Sequence, residues 1–108
     1  MAYNNLLTER VETLLKSKKG FTKKGMFGSI GYLLHGNLCI AVRKTDILVR
    51  VNPLQSDTYL KKKGTSLMKM RGKTLKGWLL VKEESLKDGM LNTWFETSAA
   101  FVTTLPKK

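Results

Sequence analysis

The chain has few of the residues on which enzymes and metal sites depend. Its 108 residues include one cysteine, Cys39, one histidine, His35, and eight Asp and Glu. A metal site needs three or four clustered ligands from Cys, His, Asp and Glu, and the sequence holds no such cluster. Nucleophilic catalysis needs a base beside Ser or Cys. His35 and Cys39 flank a short hairpin turn, so one interpretation is that their side chains are in contact and form a catalytic pair. The favoured interpretation is that His35 is a turn residue and Cys39 a core residue. We therefore expect no enzyme, no metal and no cofactor.

Long apolar runs and a leader are also missing. No apolar run approaches the roughly 20 residues that a membrane-spanning helix needs. The first residues, Met1-Ala2-Tyr3-Asn4-Asn5, lack the basic and apolar regions of a signal peptide. A single cysteine forms no internal disulfide, which is typical of a reducing compartment. We expect one globular domain over residues 1–108, no membrane contact and a cytoplasmic location.

Acidic residues are scarce relative to basic ones. Lys and Arg number 20 against 8 Asp and Glu, a formal net charge of +12 at pH 7. This excess favours a polyanion such as DNA or RNA, although a large net charge also keeps a small protein soluble. A solvated charge run is the competing interpretation of the densest acid-free cluster. That candidate nucleic-acid surface consists of Lys61, Lys62, Lys63, Lys69, Arg71, Lys73 and Lys76.

Three helices are expected from the spacing of apolar residues. An apolar stripe with a period near 3.6 residues predicts a helix over 5–18. Asn52, Pro53 and Gln55 are typical of a capped helix start, and this helix is expected to end near residue 63. Ser85, with Asp88 three residues on, predicts a last helix that ends before residue 106.

Five strands are expected between these helices. Three of them lie within residues 26–34, 38–43 and 47–51. The other two lie within residues 65–81 and are joined by a turn at Arg71-Gly72-Lys73. Gly36-Asn37 is interpreted as the tight turn of the first hairpin. The order α-β-β-β-α-β-β-α predicts an α+β two-layer sandwich with a largely antiparallel five-stranded sheet and helices on one face.

Several of these residues, taken in chain order, form a pattern that resembles the sequences of a known family. They are Met26-Phe27-Gly28, Gly31, the Gly36 turn with the two strands after it, Gly77-Trp78 in a late strand, and Leu91 with Trp94 in the last helix. Together they span about residues 20 to 105, and this order resembles the N-terminal domain of the TfoX/Sxy family, named for regulators of bacterial competence. The resemblance implies the same two-layer sandwich. It also implies a link to transcriptional regulation through a protein partner in the transcription machinery.

The chain ends at residue 108, without the C-terminal domain of the full-length regulators, so we expect a stand-alone member. The leading hypothesis is a non-catalytic interaction module, and the alternative is a small basic nucleic-acid-binding protein. The candidate interaction surface consists of Met26, Phe27, Tyr32 and Trp78. Trp78 is expected to alternate onto the same side as Arg50, on an uncovered sheet face where it could stack a base or form a homodimer interface. The favoured interpretation is simpler and places it in the core or partly under a helix.

Overall fold

A computed structural model describes residues 5–26, 29–87 and 89–107 of the chain. Within these ranges the protein forms three helices and six strands. The helices are α1 (Asn5–Leu15), α2 (Ser56–Tyr59) and α3 (Met90–Val102). The strands are β1 (Phe21–Met26), β2 (Ser29–Leu34), β3 (Asn37–Val42), β4 (Asp46–Arg50), β5 (Thr65–Met70) and β6 (Lys73–Lys82). No helix in these ranges is long and apolar enough to cross a membrane.

The strands form one sheet in the order β1-β2-β3-β4-β6-β5, and every neighbouring pair is antiparallel. The predicted antiparallel α+β architecture is therefore confirmed, but the predicted five strands and their element order are wrong. The additional strand is β1, which lies at one edge of the sheet. Its Lys23 and Lys24 interrupt any apolar alternation, and such charges are common on edge strands because they discourage pairing with other chains.

The helices pack against one face of this sheet, as predicted. Leu7 and Val11 of α1 and Trp94 and Phe95 of α3 are almost fully buried there. Alternate strand residues meet them from the sheet side, because successive side chains on a strand point to opposite faces. These sheet residues are Ile30, Tyr32, Ile40, Val42, Ile47, Val49, Leu79 and Val81.

The middle helix is much shorter than predicted. Asn52 caps as expected, because its Oδ1 accepts the backbone N–H of Leu54 at 3.0 Å. A 3₁₀ turn at Pro53–Gln55 and the single α-helical turn of α2 follow, and the chain does not continue as helix to residue 63. Gln55 contacts the Tyr59 hydroxyl at 3.3 Å instead of reaching back to the cap.

The last helix also begins later than predicted. Residues Glu83–Ser85 form a 3₁₀ turn, and α3 starts at Met90 behind Gly89, whose φ is +83°. A Cβ on Gly64 would lie 2.1 Å from the Ser85 Oγ, so Ser85 packs against the start of β5. Asp88, the other residue of the predicted start, lies outside the described residues.

The first hairpin turn is displaced by one residue from its predicted position. His35 and Gly36 have φ values of 53° and 86°, the pattern of a type I′ turn with two positive-φ residues. Asn37 instead begins β3, where its Nδ2 donates to the carbonyl of Pro106 at 2.8 Å.

Candidate functional site

The sheet face turned away from the helices carries a second set of alternating side chains. Ile47 and Val49 point into the core, so Leu48 and Arg50 on the same strand point the other way. Trp78 has the same direction on β6, because its neighbour Leu79 is in the core. We call this surface the open face. Its apolar residues are Leu38, Ala41, Leu48, Met68, Met70, Leu75 and Trp78.

An irregularity in β6 gives the open face its concave shape. Leu67 pairs with Leu79, but the next residue of β5, Met68, pairs with Leu75. Residues 76–78 therefore form a bulge on β6, and bulges bend a strand and increase its twist. Beyond the bulge, Lys69 and Met70 of the β5–β6 hairpin line the same groove as Ser29 of β2. The hairpin and strands β2, β3 and β4 therefore together line a groove of about 720 Å³.

Trp78 lines this groove and is in contact with Arg50 on the neighbouring strand. The two residues are paired across β6 and β4, and the Arg50 Cζ lies 4.7 Å from the centroid of the Trp78 ring. This distance is within the range of a cation–π contact. Burial lowers the pKa of Arg50 from its usual value, yet a guanidinium stays charged in proteins. Arg50 and Trp78 lie on the same side of the sheet, as predicted. Trp78 is half-buried and outside the core cluster, so the interpretation of Trp78 as a core residue is wrong.

The end of the groove at the β3–β4 loop is polar. Arg43 Nε lies 3.1 Å from the Asp46 Oδ1, and the Arg43 backbone N–H donates to the Asp46 carbonyl at 3.0 Å. Burial raises the pKa of Asp46, and the charge of Arg43 partly opposes that rise. Lys44 and Lys69 also line the groove. The lining residues therefore include three cations and one carboxylate, and this carboxylate is already paired with Arg43.

The seven basic residues of the candidate nucleic-acid surface divide into two groups. Lys61, Lys62 and Lys63 follow α2 on the helix side, where the Lys62 Nζ lies 6.0 Å from the centroid of the Trp94 ring. The other four, Lys69, Arg71, Lys73 and Lys76, lie exposed on the β5–β6 hairpin. Arg71 and Gly72 form its tip with φ values of 54° and 79°, again the type I′ pattern. The sequence cluster is therefore not one continuous surface.

The candidate interaction surface is only partly exposed. Tyr32 is 2% exposed in the core beneath α1, and its hydroxyl donates to the Glu12 Oε2 at 2.7 Å. Its assignment to a surface is wrong, because β2 is an interior strand and Tyr32 points to the helix side. Phe27, with Gly28 of the same motif, lies outside the described residues, as does the side chain of Met26. Of the four residues, Trp78 is the one that the described part of the chain places on the open face.

Cys39 and His35 have the structural roles that the sequence favoured. A bulge between β2 and β3 places Cys39 and Ile40 together opposite Tyr32, so both turn toward the helices. The Cys39 thiol lies 3.2 Å from the Ser98 Oγ, and burial raises its pKa to about 11. His35 is in the hairpin turn. The described residues hold no group of three His, Cys, Asp or Glu able to bind a metal.

Sequence reasoning missed the aliphatic residues of the groove. The sequence places Leu48 in a strand, but it does not say which of the two sheet faces the helices cover. A signal was present in the run 47–51, where every residue except Arg50 is apolar. A strand covered on one face only shows strict alternation, so an apolar residue at Leu48 indicates a second apolar surface.

The fold and this groove define a class of protein, a two-layer α+β domain whose sheet is covered by helices on one face and open on the other. The TfoX N-terminal domain family matches residues 13–102 of the chain, so the protein belongs to that family. Searches of curated proteins and of solved structures find no match.

Proposed function

We propose that this TfoX N-terminal domain is a non-catalytic interaction module that binds a protein partner through the open face. The observation that carries the proposal is the concave groove of about 720 Å³ with apolar residues from four strands. Ala41 and Leu48 are already 2% and 7% exposed, whereas Met70 is 53% exposed. A concave, mainly apolar groove with a few polar groups is typical of a binding site. Cys39 and His35 are occupied in core and turn, which supports a role in binding over one in catalysis.

The nature of the partner follows from the resemblance described in the sequence. Since the resemblance is to regulators of competence-gene expression, we place the partner among proteins of the transcription machinery. The module would then act by holding that protein, and a groove for side chains is sufficient for such a role.

Capture from a native lysate tests this proposal with a matched pair of variants. Met70 lines the groove and is 53% exposed, while Leu54 is 92% exposed and lies outside the groove. Met70→Asp and Leu54→Asp place the same charge on two exposed apolar positions, so neither should unfold the protein. We expect wild type and Leu54→Asp to retain one stoichiometric protein that Met70→Asp fails to retain. Equal retention by both variants, or no stoichiometric partner, would contradict the proposal.

A second candidate function is non-specific binding of nucleic acid by the β5–β6 hairpin. It is favoured by the exposure of Lys69, Arg71 and Lys73 around the type I′ turn and by the net charge of +12. Lysine-rich surfaces of this kind give salt-sensitive affinity for phosphates.

Fluorescence anisotropy of labelled duplex DNA, single-stranded DNA and RNA across a salt series tests this second candidate. Replacing Lys69, Arg71 and Lys73 by Ala should weaken binding and reduce the salt slope by nearly one unit for each phosphate that the variant no longer neutralises. Ala replacements at Lys61, Lys62 and Lys63 are the control, because they remove the same charge from the helix side. Equal effects in the two triple variants would show that overall charge, and not the hairpin, is responsible.

A further inference from the structure

We propose that the partner segment held in the groove is acidic and presents apolar side chains to the floor of the open face. This inference rests on the proposed function, since it names the chemistry of the occupant of the same groove. It follows from the kind of apolar residue in the groove, from the charges around it and from its size.

The floor of the groove is aliphatic. Leu38, Ala41 and Leu48 line it from β3 and β4, and Met68 and Leu75 line it from the hairpin. Ala41 and Leu48 are buried, so an occupant would meet them through the small part of their surface that stays open. Aliphatic side chains and a flexible thioether accept Leu, Ile, Met or Phe side chains of varied shape. Protein segments supply such groups, so the floor favours a peptide.

The same floor is poorly suited to nucleic acid. Proteins bind single strands by stacking bases on exposed aromatic rings, and Trp78 is the one aromatic residue among those lining the groove. Arg50 already lies over this ring, 4.7 Å from its centroid. One face of the indole is therefore occupied, and the aliphatic residues offer no replacement for it.

The charges around the groove indicate that the occupant is negatively charged. Arg43, Lys44 and Lys69 line the groove with a single carboxylate, Asp46, which is held by Arg43 at 3.1 Å. Carboxylates on an incoming segment would meet this positive edge, and complementary charges increase both the rate of association and specificity. A second copy of the chain is disfavoured, because it would bring another net charge of +12 to the same edge.

The size of the groove matches a short segment. Its volume of about 720 Å³ lies within the range of about 300–1,000 Å³ typical of ligand pockets. The strands that form its floor are five and six residues long. An extended segment of about six residues has the same length as these strands and would place a few side chains on the floor. The groove is too small to be the whole contact with a folded domain.

Three synthetic peptides of about six residues test this inference. One combines Leu with Glu, the second has Lys in place of every Glu, and the third keeps Glu but has Ser in place of every Leu. Each is titrated into ¹⁵N-labelled full-length protein. We expect the Leu/Glu peptide to shift the amide signals of Leu48 and Leu75 and the indole signal of Trp78, with Leu54 unchanged. The other two peptides should bind at least about tenfold more weakly.

A charge reversal separates local from overall electrostatics. Lys69→Glu and Lys61→Glu change the net charge equally, but Lys69 lines the groove and Lys61 follows α2. We expect Lys69→Glu to weaken binding of the Leu/Glu peptide by about tenfold and to improve binding of the Leu/Lys peptide. Lys61→Glu should change neither affinity by more than about twofold.

Four outcomes would overturn the inference. The first two are that an excess of the Leu/Glu peptide shifts no signal, or that the Leu/Lys peptide binds as tightly as the Leu/Glu peptide. The other two are that Lys69→Glu and Lys61→Glu change the affinity equally, or that a single-stranded oligonucleotide shifts the groove signals as much as the Leu/Glu peptide does. Failure here is distinguishable from failure of the proposed function. A lysate partner that Met70→Asp fails to retain, but that is attached through a neutral or basic segment, would leave the proposed function intact and refute an acidic occupant.

Discussion

Gly77 has a φ of +87° and is hydrogen-bonded through both backbone groups. Its N–H donates to the Ser56 Oγ at 2.6 Å, and its carbonyl accepts the N–H of Val51 at 2.8 Å. A Cβ here would lie 2.9 Å from the Val51 carbonyl oxygen. Gly77 therefore joins the bulge of β6 to the chain after β4, and only glycine fits that position without strain.

Gly77→Ala should lower the free energy of unfolding by about 3 kcal/mol, because a positive φ and a backbone clash act together. Gly72→Ala is the matched control, since Gly72 has a φ of +79° but nothing within 4 Å of its Cβ position. The control should be destabilised by only about 1 kcal/mol, the cost of the left-handed conformation. Urea denaturation measures both variants, and equal destabilisation would show that the close approach at Gly77 is unimportant.

Cys39 should be unreactive in the folded protein. Burial raises the pKa of its thiol from 9.0 to about 11, which lowers the thiolate fraction near neutral pH by about a hundredfold. We expect alkylation by iodoacetamide to be slow in buffer and to accelerate with urea in step with unfolding, as followed by mass spectrometry. Rapid alkylation without urea would contradict the burial of Cys39 between β3 and α3.

At the scale of elements, a carboxylate of α1 adds polar contacts with β1 and β2 to the packing of Leu7 and Val11 on the sheet. Glu12 Oε2 accepts the Tyr32 hydroxyl at 2.7 Å and lies 2.6 Å from the Lys23 Nζ. The hydrogen bonds from Lys23 and Tyr32 lower the pKa of Glu12 below its ordinary value of 4.5. Stability from a lowered carboxyl pKa is present above the unfolded pKa and disappears as the pH falls through the folded one.

Glu12→Gln should therefore destabilise the protein near neutral pH and not in acid. We expect a decrease of about 1 kcal/mol or less in the free energy of unfolding, because both charged side chains of the pair are about half exposed. The difference from wild type should begin to shrink near pH 4.5 and disappear below the folded pKa. Denaturation across a pH series measures it, with Glu9→Gln on the same helix as control. A difference that persists in acid would mean that Glu12 acts through packing alone.

Most elements are predictable from the sequence because their signals are local. The strands at 29–34, 37–42 and 46–50 are apolar runs between turn residues, and the hairpin around Arg71-Gly72 has glycine where positive φ is needed. The sequence does not reveal β1, whose lysines conceal an edge strand, and it predicts too long a helix at α2. The lysines at 61–63 are compatible with a helix, but the chain there is already turning toward β5 through Gly64, whose φ is +76°.

The candidate site is harder to predict than the fold because it depends on contacts between distant strands. Alternation along the strands predicts Trp78 and Arg50 on one side, and β4–β6 pairing brings them together. Which side the helices cover is a property of the whole sheet, and for this reason the prediction of Tyr32 on a surface is wrong. The register shift between β5 and β6 beside the groove coincides with the positive φ of Gly77, a backbone conformation that residue type alone does not reveal.

At the scale of the whole molecule, the net charge of +12 should make stability depend on salt. The radius of gyration is 12.8 Å, and the screening length falls from about 30 Å at 0.01 M to about 10 Å at 0.1 M ionic strength. Repulsion across the molecule is therefore relieved over this interval.

We expect the Tm to rise by about 4 °C as sodium chloride is raised over that interval, which corresponds to about 1 kcal/mol for a domain of this size. Replacing Lys61 and Lys63 by Glu lowers the net charge and should reduce the rise. Calorimetry measures both proteins. A Tm that falls with salt would show that attractive pairs outweigh the repulsion.

Photo-crosslinking in the native host tests most directly whether the open face binds a protein. A photoreactive residue at Met70 lies in the groove, and one at Leu54 lies outside it. The proposed function predicts a single discrete protein adduct from position 70 and none from position 54. No adduct from a folded position-70 protein, or the same adducts from both positions, would contradict it.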